Sequence, residues 1–197
     1  FHVVRQEFVA VPAGGIVKES LQDMKVLESS LEELKAQVGK FSCPVVLGIP
    51  SRDVTLRLVE YPRMSQDDIR DALSLEFEKY FPYSWAESAS DIAEVEVPAR
   101  DASSKSTVLV ATCKLDYMRE LLRTAGRVGI PLEAVEPMNV AFFRSSMGPQ
   151  VRDGAYFVVG VEPDVTHIVL GYKDNGILFR STLIDQTNSE RRNSEAD

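Results

Sequence analysis

The sequence predicts a mixed α/β fold, and three observations carry that reading. Stretches of apolar–polar alternation and stretches with apolar residues spaced by three and four follow one another along the chain. Proline or glycine stands at most of the joins between them. After Pro149 three strand patterns come in succession with no helix between them, so a new unit is expected to begin there.

Residues 1–11, FHVVRQEFVAV, alternate well enough for a strand, and Pro12-Ala13-Gly14-Gly15 reads as a turn with two glycines free to take positive φ. From 19 to 39 the residues Leu21, Met24, Leu27, Leu31, Leu34 and Val38 repeat at helical spacing, and Gly39 stops the helix. Its acidic residues Glu28, Glu32 and Glu33 read as the solvated face. Cys43 to Ile49 is a short apolar run suited to a strand buried on both faces. Thr55 to Tyr61 alternates as a strand.

The stretch from Pro62 to Pro82, PRMSQDDIRDALSLEFEKYFP, is the most informative in the chain. Ser65 is a good N-cap, and Asp67 and Asp68 place carboxylates at the positive end of the helix dipole. Asp68 has capping-box spacing, with Asp where Glu or Gln is usual. Ile69, Ala72, Leu73, Phe77 and Tyr80 form one apolar face, and Phe81-Pro82 ends the helix because a residue before proline is pushed out of the α region. Tyr83 and Trp85 follow, so five aromatics fall between Phe77 and Trp85. Such a cluster, delivered by a helix into a proline turn, reads as a core plug or as one wall of a groove; the residue types alone favour the plug.

Strands are expected at 91–97 and 107–113, joined by the polar PARDASSKS. Leu115 to Val128 is a second amphipathic helix, with Gly129 as its cap and Pro131 just beyond. Leu132 to Val135 is a strand, and Met138 to Met147 a short helix ending at Gly148-Pro149. AYFVVGV, HIVLGY and ILFRSTL make a meander, its second turn set by Lys173-Asp174-Asn175-Gly176 and its Asn-Gly pair.

Hydrophobic residues make up 44% and charged residues 26% of the 197, values usual for a globular chain long enough to bury a core. A formal net charge of −8 argues against nucleic acid or anionic lipid as a partner. No apolar run reaches the ~18 residues of a membrane helix, and no signal peptide opens the chain, so direct membrane insertion is not expected and a cytoplasmic location is. Two cysteines, Cys43 and Cys113, read as buried free thiols. With only His2 and His167 beside them, no metal site is expected. No catalytic residue is expected either. His167 lies within a strand pattern, Ser20, Ser65 and Ser106 lack a Gly-x-Ser-x-Gly setting, and the neighbours Asp67-Asp68 and Glu32-Glu33 diverge on a helix. Phe1 opens on a strand pattern without an initiator Met and DQTNSERRNSEAD ends the chain without a terminating element, so a chain cut at both ends is expected.

Two blocks in this order resemble the PilM-type actin-like proteins of type IV pilus assembly, and more distantly FtsA and the cytoplasmic domain of GspL in type II secretion. The first is VVLGIPSRDVTLRLVEYPRMSQDDIRDALSLEFEKYFPYSWAES, in which Gly48, Pro50, Pro62, Ile69, Leu73, Glu76, Tyr80, Phe81 and Pro82 match the family pattern. The second is TVLVATCKLDYMRELLRTAGRVGIPLEAVEPMNVAFFRS. The resemblance implies an actin-like (RNase H-like) lobe over residues 1–52 and 132–148, interrupted by a small inserted α/β subdomain over 53–131. Residues 149–197 would then hold the opening meander of a second lobe and a polar tail.

The same resemblance implies a scaffold that binds the N-terminal tail of a bitopic inner-membrane partner of the PilN kind. The location would be cytoplasmic, at the bacterial inner membrane through that partner, as a homo-oligomer or ring. Tyr80, Phe81, Tyr83 and Trp85 are the implied partner-binding residues; the plainer reading of each is a seal between subdomains. The alternatives are a nucleotide-binding actin-like ATPase and a GspL-like domain of type II secretion. An actin-like ATPase grips phosphate at a turn reading D-x-G-x-x-x-T. Anchored on Thr166, that pattern puts Gly160 at the Asp position and Glu162 at the Gly position, losing the metal-orienting carboxylate and adding a negative side chain. These three form a degenerate phosphate turn, and the first phosphate turn would precede Phe1. No cofactor is therefore expected in this chain, ATP with magnesium belonging at most to an intact protein, and the scaffold reading is preferred to the ATPase.

Overall fold

A computed structural model of the chain describes residues 5–41, 43–98, 105–147, 153–162 and 165–184. The elements run β1 (Ile16–Val17), β2 (Ser20–Leu21), α1 (Met24–Val38), β3 (Val45–Ile49), β4 (Thr55–Pro62), α2 (Gln66–Glu76) and β5 (Ser88–Glu94). There follow β6 (Lys105–Lys114), α3 (Leu115–Val128), β7 (Leu132–Pro137), α4 (Met138–Ser146), β8 (Ala155–Val161), β9 (Val165–Tyr172) and β10 (Asn175–Leu183). The strands form four sheets, ordered β1-β2, β3-β7, β4-β6-β5 and β10-β9-β8. The chain divides into two units, one of Phe1–Thr55, Asp71–Asp91 and Thr112–Met138, the other of Leu56–Arg70, Ile92–Ala111 and Asn139–Asp197.

The first unit is built on α1 and α3 over the parallel pair β3-β7. Leu31 of α1 is buried with Ala125 and Val128 of α3 and with Ile130, and Leu27, Phe41, Val45 and Leu132 pack around them. The apolar stripe of α3 was legible as a 3.6-residue period, and the helix occupies the expected Leu115–Val128. Gly129 ends it at φ 74°, ψ 40°, a left-handed conformation that glycine enters without a Cβ penalty. The N–H of Ile130 then donates to the carbonyl of Ala125 at 2.9 Å, satisfying a helix-end acceptor.

Several sequence expectations are corrected here. The strand expected over 1–11 does not form among the described residues 5–11, where Phe8 is 78% exposed; alternation alone makes no ladder without a partner strand. The helix expected from 19 starts at Met24, capped by the Asp23 carboxylate, which accepts the N–H of Lys25 at 2.8 Å. Lys18 and Glu19, at φ 50° and 56°, turn the chain into the β1-β2 hairpin instead. β3 is not buried on both faces: its burial alternates, and Val46 is 51% exposed. Cys113 is buried as expected, whereas Cys43 is exposed; both are free thiols.

In the second unit β8, β9 and β10 make the antiparallel meander. The β9–β10 connection turns at Lys173-Asp174, with Asn175 already paired to Tyr172, so Asn-Gly is not the turn's centre. Lys173 takes φ 50°, and the irregularity falls after Gly176, where a Cβ would lie 2.4 Å from the Phe179 ring. On β8 the outward residues Phe157, Val159 and Val161 are exposed, while α4 brings Phe143 against Tyr156 and Phe179. The Gly148-Pro149 end of the α4 pattern and residues 99–104 of the β5–β6 connection lie outside the described residues.

The left-handed cap gives a direct check. Gly129→Ala should cost about 1–2 kcal/mol, read as a lower urea midpoint with an unchanged slope.

Candidate functional site

α2 enters with Ser65 as cap. The Asp68 N–H donates to Ser65 Oγ at 3.2 Å, and the Ser65 hydroxyl donates to the Asp68 carboxylate at 2.6 Å. The shorter Asp meets the hydroxyl of Ser65, a variation on the box that the spacing suggested. At the other end the helix tightens into a 3-10 turn over Phe77–Lys79, and the N–H groups of Tyr80 and Phe81 both donate to the Phe77 carbonyl at 3.0 Å. After Pro82 a second short turn, Trp85–Glu87, opens with a capping box: Glu87 accepts the Ser84 N–H at 3.1 Å and its hydroxyl at 2.9 Å. Those two donors, the backbone one foremost, hold the Glu87 carboxyl below its ordinary range.

The aromatics gather on Phe77, which is 1% exposed. Its ring centre lies 4.5 Å from that of Phe81, 5.2 Å from Trp85 and 6.0 Å from Tyr83. Phe81 is 3% exposed, so it is a packing residue of this cluster. Tyr80, Tyr83 and Trp85 are half-buried. Tyr83 donates from its hydroxyl to Thr112 Oγ1 at 3.4 Å, and Thr112 meets Ser90 Oγ at 2.6 Å. Burial raises the Tyr83 phenol above its ordinary pKa, outweighing the bond to Thr112, which lowers it. Both readings of the cluster thus have members: Phe77 and Phe81 form the plug, and Tyr80, Tyr83 and Trp85 show a surface.

A groove of about 530 Å³ runs beside this turn. Pro82, Tyr83 and Ala86 form one wall, and Lys114, Leu115 and Arg119 from the start of α3 the other. Lys114, at the N-cap position of α3, makes no side-chain cap. On the opposite side of the turn a second hollow, about 420 Å³, lies between Trp85 and Leu75, the latter 87% exposed.

Sequence reasoning missed Asp53. In a short turn after β3, its carboxylate accepts the Ser20 hydroxyl at 2.5 Å, the Leu21 N–H at 2.9 Å and the Tyr117 hydroxyl at 3.1 Å. Nothing in the pattern around Pro50-Ser51-Arg52-Asp53 signals donors 32 to 64 residues away. Burial first, then the negative charge of Asp53, pushes the Tyr117 phenol far up and the Cys113 thiol to about 11.

Gly160, Glu162 and Thr166 come together at the β8–β9 end, where Val161 pairs with Thr166 and the Glu162 N–H donates to the Val165 carbonyl at 2.9 Å. Pro163 and Asp164 lie outside the described residues. The space beside Gly160 is already filled: a Cβ there would stand 2.6 Å from Phe142 Cζ. Glu162 is exposed, its carboxylate 3.6 Å from Nε2 of the buried His167, whose Nδ1 lies 2.9 Å from Ser181 Oγ. A ring beside Gly160 and a carboxylate at 162 stand where a phosphate turn uses open room and bare backbone. Among the described residues no group of three or more His, Cys, Asp or Glu could hold a metal ion, and no helix is long and apolar enough to cross a membrane.

The fold these elements define is the mixed α/β, actin-like one that the sequence resemblance implied. No family model and no curated protein matches the sequence. Among solved structures the chain is similar to the PilM-PilN type IV pilus biogenesis complex, with a TM-score of 0.71 and 18% identity over 90% of this chain and 53% of that one. It is also similar to the cytoplasmic domain of EpsL, an inner-membrane component of the type II secretion system of Vibrio cholerae. There the TM-score is 0.55 and the identity 14%, over 81% of this chain and 57% of that one. The chain therefore spans little more than half the length of either.

Two outcomes test these assignments. Because the Cys113 pKa is raised, its contribution to stability is complete below the unfolded thiol's ~8.5 and is lost as pH climbs toward about 11. Stability should hold from neutrality to about pH 8.5 and then fall, with a shallower fall in Cys113→Ala; a thiol reagent should label Cys43 in the native protein and Cys113 only on unfolding. Gly160→Ala should cost about 1–3 kcal/mol through overpacking, with Phe142→Leu restoring much of it in the double variant, measured by thermal melts.

Proposed function

We propose that this chain is the partner-holding body of a cytoplasmic, actin-like scaffold in type IV pilus assembly. Its ligand is the N-terminal cytoplasmic tail of a single-pass inner-membrane protein of the PilN kind, which tethers it at the membrane. The observation that carries this is the fold likeness over 90% of the chain to a structure that holds PilM and PilN together. The lower TM-score of the type II secretion domain, 0.55 against 0.71, ranks the pilus system ahead of it. The misfit of the Gly160–Thr166 turn to phosphate supports holding as the activity in preference to hydrolysis.

Within the aromatic turn, Tyr83 on the groove and Trp85 on the second hollow each present the apolar surface that a peptide side chain needs as an anchor. Tyr80 adds a half-buried ring edge-on to Phe81, and Phe81 acts from beneath by packing on Phe77. In the groove an apolar residue of the segment would sit on Tyr83 and Ala86.

The test is fluorescence polarisation with a labelled peptide made from the cytoplasmic tail of the PilN-like protein of the same organism. Saturable binding is expected, with Tyr83→Ala weakening it by about 1–2 kcal/mol and Phe157→Ala on β8 leaving it unchanged. No saturation at about 1 mM, or equal binding by all variants, would reject the reading. Phe81→Ala is unsuitable for this purpose, since a ring 3% exposed reports folding before binding.

A further inference from the structure

Resting on the peptide-groove reading, we propose that Asp53 is a positioning residue for the groove: through the Tyr117 hydroxyl it fixes the start of α3, and with it the wall formed by Lys114, Leu115 and Arg119. The placement of that wall needs an outside hold. Lys114 supplies no side-chain cap, and the first-turn carboxylate, Asp116, is turned to Arg119 at 3.4 Å with its side chain 94% exposed. Neither therefore anchors the first turn of α3 to the body of the protein. Tyr117, one residue beyond Asp116, does so by donating to Asp53 at 3.1 Å.

Asp53 can act as a fixed point because it is itself held from another direction. Its other two donors, Ser20 Oγ and Leu21 N, belong to β2, so the carboxylate is clamped to the hairpin before it reaches the helix. Three donors occupy most of the roughly four acceptor positions a carboxylate offers, which leaves it little freedom to swing. The opposite wall has its own tether: Tyr83 bonds to Thr112, two residues before Lys114 on the strand that leads into α3. Two bonds thus set the groove, Tyr83 to Thr112 for one wall and Tyr117 to Asp53 for the other. A binding surface held by polar bonds on both sides is preorganised, and a wall that drifts loses affinity without losing any contact residue.

The design of the test follows from the split roles of the three donors. Tyr117→Phe breaks the link to α3, Asp53→Ala removes the acceptor altogether, and Ser20→Ala removes one bond to the carboxylate without touching the helix. Affinity for the labelled tail peptide is measured well below each variant's melting temperature. Asp53→Ala and Tyr117→Phe should each raise Kd about tenfold, the double variant should be no worse than Asp53→Ala alone, and Ser20→Ala, in which the Leu21 N–H still holds the carboxylate, should raise it by less than either. In the free protein, the amide resonances of Ala86 and Glu87 should move in Asp53→Ala and Tyr117→Phe, and less in Ser20→Ala. Equal weakening by Ser20→Ala, or unchanged Kd in both link-breaking variants, would overturn the proposal. If the wild type binds no peptide, the partner reading fails by itself, and the free-protein resonances still decide the positioning role: movement in Tyr117→Phe larger than in Ser20→Ala upholds it, and no movement removes it.

Discussion

Phe77 is the contact on which the site depends. One ring, almost wholly out of water, meets Phe81, Trp85 and Tyr83, and so converts a helix end, a proline and a short turn into a single rigid corner. Each aromatic pair adds about 0.5–1.5 kcal/mol beyond the area it buries, and here three such pairs share one partner. The consequence is geometric as well as energetic. With Phe77 and Phe81 inside, Tyr83 and Trp85 stay half-buried, their outer edges left as surface. The plug creates the wall.

The second wall depends on a different kind of force. α3 is fixed along its length by apolar packing of Ala125 and Val128 against Leu31, reinforced by the two-toothed contact of Arg127 with Glu28 at 2.8 and 2.7 Å. That pair is exposed and so contributes direction more than stability. Near its N-terminus the helix instead uses the Tyr117–Asp53 bond, in surroundings that raise the phenol and the Cys113 thiol. Hydrophobic packing has no preferred direction, so it can hold a helix against a sheet yet leave its end free to shift; a hydrogen bond to a clamped carboxylate removes that freedom.

The β8–β9 end illustrates how one residue type can serve opposite purposes. The phosphate-turn pattern puts an Asp at 160, whereas the glycine that stands there takes the Phe142 ring against its backbone. Glu162, where that pattern has glycine, lies 3.6 Å from the imidazole of the buried His167, which in turn meets Ser181.

Much of this was legible in the residues themselves. The 3.6-residue stripe of α3, its glycine stop, the Ser65 cap, the aromatic run into Pro82 and the meander all rest on interactions within a few residues, which local sequence determines. The sorting of five aromatics into buried and surface members was not legible, because a ring's burial depends on what the fold lays over it. The start of α1 at Met24, the exposure of Val46 and Cys43, and the three donors on Asp53 belong to the same class. By itself the sequence determined α3, the strands of the meander and the glycine stops of α1 and α3, since caps, periodicity and turns are short-range. Only the tertiary structure decided which residues face one another across the groove, since Asp53 and Tyr117 are 64 positions apart and no local pattern encodes that meeting.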